Sequence, residues 1–256
     1  MDAGGKRGFS LVDMVVVTGV TALFSSTLFP LVAVRTLEAE MMSVAARGKD
    51  IFVSITAANT ERAPLGLRSV WPKTQLKEGE RNKRNNEDIA GEIFGNSTDY
   101  FYKLYDGANL GTPVHAPYVP WLLDYSRLAG AGVPQMAGPG KLQPENNMWC
   151  IAGNLRDEMA DIIPVLITRN VDCSSLHKDL RNGEDAFDKT LRWSQKYDTP
   201  FSNTGFVMVR KGGAIFKSTQ KHAVTRVVYL EQTFQTTVEG HAPLVYLTPD
   251  GIADPQ

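Results

Sequence analysis

Two sets of side chains in this sequence have chemistry to do, and a third has the right residue types without the spacing. The first is Asp13, the only ionisable side chain between Phe9 and Val34. A carboxylate inside an apolar span costs about 2.5–3.5 kcal/mol at mid-membrane, less near the surface, so it normally has a function. The second is the pair Cys150 and Cys173, the two cysteines of the chain. In an oxidising compartment paired cysteines are commonly bridged, and the loop they would close contributes about 3–4 kcal/mol by chain entropy. The alternative is two buried free thiols, since Cys is among the most buried residues. Cys150 stands in the apolar string Met148-Trp149-Cys150-Ile151, which suits a buried strand, whereas Cys173 lies beside Asp172 and Ser174.

The remaining residues point away from catalysis. His115, His177, His222 and His241 are spread out with no metal-ligand spacing. No nucleophile elbow surrounds any serine. Gly212-Gly213 reads as a turn, because the helix that completes a phosphate cradle does not follow. Trp71, Trp121, Trp149 and Trp193 read as core or rim residues. Asp250 and Asp254, and the cluster Glu184, Asp185 and Asp188, carry the oxygen ligands calcium takes, yet neither set follows an EF-hand loop. No enzyme activity, cofactor or catalytic residue is expected, and calcium in the head is the one metal left open. With Lys+Arg 27 against Asp+Glu 28 and a net charge of −1, nucleic acid is not expected as a partner.

The element that must position Asp13 is the run from Phe9 to Val34. As a helix rising about 1.5 Å per residue it is about 39 Å long, more than the roughly 30 Å of a hydrocarbon core. Lys6 and Arg7 precede it, so the leader is expected to stay cytoplasmic while the rest is exported. Three readings compete. A cleavable secretory signal needs an apolar core of about 7–15 residues and a small-x-small site, and fits poorly. A plain signal anchor fits by composition. A prepilin leader fits by pattern.

The pattern is Lys6-Arg7-Gly8-Phe9-Ser10-Leu11-Val12-Asp13. It resembles the prepilin peptidase site of type IV pilins and type II secretion pseudopilins. The resemblance covers roughly the first sixty residues and implies a cut between Gly8 and Phe9, with Phe9 becoming an N-methylated terminus. Asp13 stands at the family's acidic position, usually Glu, whose implied role is to pair with the Phe9 α-amine during assembly. Asp keeps the charge and reaches one methylene less. Pro30 falls where the family commonly has a helix-loosening proline, and a proline inside a helix removes one donor and crowds the preceding turn. The implied partners are prepilin peptidase, other pilin or pseudopilin subunits, an inner-membrane assembly platform and the inner membrane itself.

Beyond Arg35, apolar or small residues recur at Leu37, Met41, Val44, Gly48, Ile51, Ile55 and Ala58, in steps of four and three. That is an amphipathic helical stripe, and Pro64 and Gly66 stop it. The expected organisation is a leader over residues 1–8, a long helix over 9–62 with 9–34 transmembrane, and an extracytoplasmic head over 63–256. The head reads as α+β with an antiparallel sheet. Residues 97–106 suggest a short helix with Ser97 as N-cap and Gly107 as its stop. Strands are expected near 148–151, 165–168, 206–210, 214–217, 225–230 and 243–247, with a hairpin turn at Lys211-Gly212-Gly213. Residues 77–88 read as a solvated charged loop and 130–144 as an extended Gly/Pro loop. The function expected is that of a single-pass inner-membrane pseudopilin with a periplasmic or extracellular head. The rival from another class is a membrane-anchored enzyme or ligand-binding module that never polymerises.

Overall fold

The computed structural model describes residues 10–75, 92–106, 125–136, 141–174, 176, 191–220, 223 and 242–253. The chain divides into two compact units, Met1–Glu40 and Met41–Gln256. Helix α1 (Leu11–Arg62) belongs to both, so the division falls inside the helix rather than at its end.

Within the first unit, α1 opens with a reciprocal cap. The Ser10 hydroxyl accepts from the Val12 amide at 3.2 Å, and Asp13 Oδ2 accepts from the Ser10 amide at 3.1 Å. Two otherwise orphaned donors are satisfied, and the carboxylate sits at the positive end of the helix dipole. From Leu11 to Val34 the described apolar side chains are exposed, among them Val15, Leu23, Phe24 and Val32. Among the described residues no helix is long and apolar enough to cross a membrane, so the transmembrane expectation for residues 9–34 is not met there. Within that run the side chains of Thr27, Phe29, Pro30 and Leu31 lie outside the described set.

In the second unit the same helix changes character. Met41, Val44, Ala45, Gly48, Ile51, Phe52, Ser54, Ile55 and Ala58 are all buried, which is the stripe read from sequence, widened by Ala45, Phe52 and Ser54. The stripe lies on a six-stranded antiparallel sheet of order β4-β3-β2-β1-β5-β6. The strands are β1 (Trp149–Gly153), β2 (Pro164–Thr168), β3 (Gly205–Arg210), β4 (Ile215–Thr219), β5 (Val245–Thr248) and β6 (Gly251–Ala253). Every residue of β1, β2 and β3 is buried, so these strands show no alternation: both faces are covered. Register separates the faces. Ile151 opposes Leu166 and Leu166 opposes Val209, while Cys150 opposes Ile167 and Ile167 opposes Met208. The helix takes the first face, since Gly48 meets Trp149 and Val209, and Met41 reaches Gly205.

The β3–β4 hairpin turns at the expected glycines. Gly213 adopts φ 78 and its amide donates to the Arg210 carbonyl at 2.8 Å. Its own carbonyl accepts from Lys49 Nζ at 2.9 Å, which ties the turn to α1. Strand β6 was not expected; it follows β5 across a tight turn at Pro249-Asp250 and pairs with it antiparallel. The expected strand over 225–230, the charged loop over 77–88 and the Gly107 stop lie outside the described residues. The Gly/Pro segment folds in its described part into a tight turn, with Gly130 and Val133 bridged and Ala131 at φ 48.

Helix α2 (Ser97–Asp106) spans the expected residues, but Ser97 is not its cap. Asn96 is: its Oδ1 accepts from the Asp99 amide at 2.7 Å, and its Nδ2 donates to Asp99 Oδ2 at 2.7 Å. Ser97 is buried and donates instead to the Trp149 carbonyl at 2.8 Å, because the sheet offers it a stronger claim than its own helix.

Gly48, within the stripe, is a site of close approach. A methyl group built there would lie 2.7 Å from Cη2 of Trp149 and 3.0 Å from Cγ2 of Val209. Overpacking a filled core costs about 1–3 kcal/mol, more than the roughly 1 kcal/mol that alanine gains in helix propensity. Gly48→Ala is therefore expected to lower unfolding stability by about 1 kcal/mol and Gly48→Leu by more, measured by denaturant titration. A Gly48→Ala chain as stable as the parent would show that the indole yields without cost.

Candidate functional site

The residues singled out from sequence fall in three places. Lys6, Arg7, Gly8 and Phe9 lie outside the described residues. Asp13 stands at the start of α1, held by the Ser10 amide, and Pro30 lies within the helix. The helix begins at Leu11, and the carboxylate reaches back to the Ser10 amide just before it.

Both cysteines lie in the core. Cys150 comes from β1, on the sheet face turned away from α1, and Cys173 from the segment that follows β2. Each is 1% exposed, and both are free thiols. The polar neighbours of Cys173 had suggested a more open position. Asp172 instead turns outward to accept from the Ser174 amide at 3.0 Å and hydroxyl at 2.7 Å. The hydrogen bond to Cys150, then burial, push the Cys173 thiol well above its ordinary pKa. Tyr246 is buried in the same core; burial first, then the two sulfurs, raise its phenol, whose hydroxyl donates to the Pro164 carbonyl at 3.0 Å.

Sequence reasoning missed the polar residues that hold this arrangement. Arg169 follows β2 and is buried, and its guanidinium donates five hydrogen bonds. They run to the carbonyls of Pro144, Glu145 and Asn147 at 2.8, 3.2 and 3.0 Å, and to the carbonyl and hydroxyl of Thr199 at 3.0 and 2.8 Å. Its carbon lies 4.6 Å from the Tyr197 ring centroid. Burial lowers its pKa from the ordinary guanidinium value, an effect opposed chiefly by Tyr197. Asn147 is fully buried and donates to Ser97 and Thr98 at 2.9 and 3.2 Å, which seats α2 on the sheet. No signal in the local sequence distinguishes these two from surface residues.

A cleft of about 360 Å³ opens at the end of β1, lined in part by Arg68, Lys73, Asn154, Arg156, Asp157 and Glu158. Asn154, at φ 61, fixes its floor by accepting from the Thr74 amide at 2.9 Å and donating to the Pro243 carbonyl at 2.8 Å. Nη1 of Arg156 is buried and finds no hydrogen-bond partner among the described residues. Three cations against two carboxylates give a lining that suits an anionic group. Of the residues considered for calcium, Asp250 forms an ion pair with Lys196 and accepts from the Thr248 hydroxyl at 3.2 Å. Glu184, Asp185, Asp188 and Asp254 lie outside the described residues, as do all four histidines. Among the described residues no group of three or more His, Cys, Asp or Glu side chains could hold a metal ion.

Compared with known proteins, the chain matches no family model, no curated protein and no solved structure.

The Arg169 fork joins the turn before β1 to the segment before β3, so removing it strands one buried and several part-buried acceptors. Arg169→Met is expected to cost at least about 3 kcal/mol of stability, since each stranded group costs about 1–3 kcal/mol. Arg169→Lys should recover less than half of that, because a single ammonium cannot span both sets of carbonyls. A loss below about 1 kcal/mol in Arg169→Met by denaturant unfolding would contradict the role given to it.

Proposed function

We propose that this chain is a pilin-like structural subunit, a pseudopilin of a type II secretion or type IV pilus-like system, processed by prepilin peptidase and stored in the inner membrane. The observation that carries the reading is the contrast along one helix. From Met41 onward α1 buries an apolar stripe against a sheet, and from Leu11 to Val34 it leaves its described apolar side chains exposed. A helix that is apolar around its circumference and lacks a protein core of its own must be covered by something else. Lipid covers it before assembly, and the equivalent helices of neighbouring subunits cover it afterward. The full run from Phe9 to Val34, with Phe29 and Leu31 included, supports storage in a membrane.

Asp13 has two roles in this reading. In the uncut chain its carboxylate caps α1 through the Ser10 amide. After the cut it meets the Phe9 α-amine, on its own or a neighbouring subunit, and a carboxylate is expensive in an apolar setting until a cation joins it. The energy for polymerisation would come from a separate cytoplasmic ATPase, and the head would face the periplasm or the exterior.

A second reading, an anchored ligand-binding module that does not polymerise, draws on the cleft around Arg156. The two are separated by the requirement for processing. Gly8→Glu places a bulky charge before the scissile bond, so a pseudopilin loses function while an anchored module keeps it. Asp13→Ala is expected to leave head unfolding unchanged and to reduce filament formation or secretion at least about tenfold, with Asp13→Glu tolerated. Normal assembly by Asp13→Ala would refute the pairing with the Phe9 amine.

A further inference from the structure

We propose that the cleft at the end of β1 is a binding site for a small organic carboxylate, held by one edge of the Arg156 guanidinium. The site does not depend on whether the chain polymerises. The backbone fixes Arg156 from both sides. Strand β1 ends at Gly153, and Asn154, at φ 61, turns the chain. Leu155 and Met159 are buried on either side, and the Met159 amide donates to the Arg156 carbonyl at 3.2 Å, which closes a turn. A residue on such a turn presents its side chain from a rigid base.

The guanidinium is an uncompensated charge. Its Nη1 is buried, and among the described residues the group makes no hydrogen bond and no ion pair. A guanidinium has only donors, so one that is partly desolvated without a partner carries an electrostatic cost that an anion removes. The same geometry decides which donors an anion can use. Burial puts Nη1 out of reach and leaves Nε and Nη2, whose N–H bonds run parallel along one edge. That edge matches the paired oxygens of a carboxylate or a phosphate.

The rest of the lining selects among oxyanions. Arg68 and Lys73 add positive charge to the wall. The Ser69 hydroxyl accepts from the Trp71 amide at 3.3 Å and keeps its proton for a ligand oxygen. Asp157 and Glu158 are exposed at the same cleft. Each repels negative charge at close range, so a singly charged carboxylate is favoured over a doubly charged phosphate. The same two side chains accept hydrogen bonds from hydroxyl or amino groups, which the ligand carries beside its carboxylate. A cleft of about 360 Å³ falls at the lower end of the range for small-molecule sites.

Isothermal titration of the full-length chain in detergent tests the site, with gluconate, glutamate and inorganic phosphate as probes. Gluconate or glutamate is expected to bind saturably with a Kd of about 1 mM or tighter, and phosphate at least about threefold more weakly. Arg156→Met is expected to weaken carboxylate binding at least about tenfold, and Arg156→Lys, which keeps the charge without the fork, to lie between. Because the guanidinium has no partner to lose, the unfolding midpoint of Arg156→Met is expected to be unchanged or higher. No saturation by about 100 mM of either carboxylate overturns the site, and so does equal binding by Arg156→Met. Phosphate binding more tightly than both carboxylates overturns the ligand class. A lowered unfolding midpoint in Arg156→Met makes the side chain structural and overturns the uncompensated charge. A chain left uncut by Gly8→Glu is expected to bind equally well, so failure of the processing reading leaves this result standing.

Discussion

The head is organised around the indole of Trp149, which is pressed between a helix and a sheet where only a glycine lets the two come close. Its ring meets Gly48 of α1, its Nε1 donates to the Arg127 carbonyl at 3.1 Å, and its amide donates to Asn147 Oδ1 at 3.0 Å. Its carbonyl accepts from Ser97 of α2. One fully buried residue thus fixes the outer half of α1, the start of β1, the segment before the Gly130 turn and the N-terminus of α2. Arg47 adds to the same junction by donating to the carbonyls of Ser126 and Ala129. The polar bonds matter because a large aromatic side chain in a core gains its full burial energy only when its N–H and its backbone are satisfied.

That seat explains why one helix serves two purposes. Where α1 passes over the sheet, its side chains alternate between core and solvent with helical period, and the stripe is stabilised by burial. Among the described residues from Leu11 to Val34 the first unit supplies no strand, and the apolar side chains are exposed. A sequence under selection only for a soluble domain would place charge on such a surface. In the proposed reading the surface is kept apolar for lipid and for like subunits, and Asp13 is the single charge retained because its partner is generated by processing.

Much of this was legible in the sequence, and the reason is periodicity. The stripe from Met41 to Ala58, the limits of α2, strands β1 to β3 and the Gly212-Gly213 turn all follow from local pattern. What could not be read depends on partners distant in the chain. Ser97 looks like an N-cap until the Trp149 carbonyl is brought beside it, and Asn96 takes the capping position instead. Gly48 looks like a loose point in a helix until a ring from β1 fills the space a side chain would need. Arg169 and Asn147 look like surface residues until several carbonyls and hydroxyls converge on them. The burial of Cys173 is of the same kind: Asp172 and Ser174 look like an open stretch until they bond to each other and leave the thiol in the core.

The central claim, that this chain is a processed subunit rather than a permanently anchored protein, is tested most directly at its N-terminus. The measurement is the intact mass and terminal sequence of the protein extracted from the membranes of a host that has prepilin peptidase. The account predicts a chain beginning at Phe9 and carrying one additional methyl group on its α-amine. A chain that still begins at Met1 in such a host would contradict it.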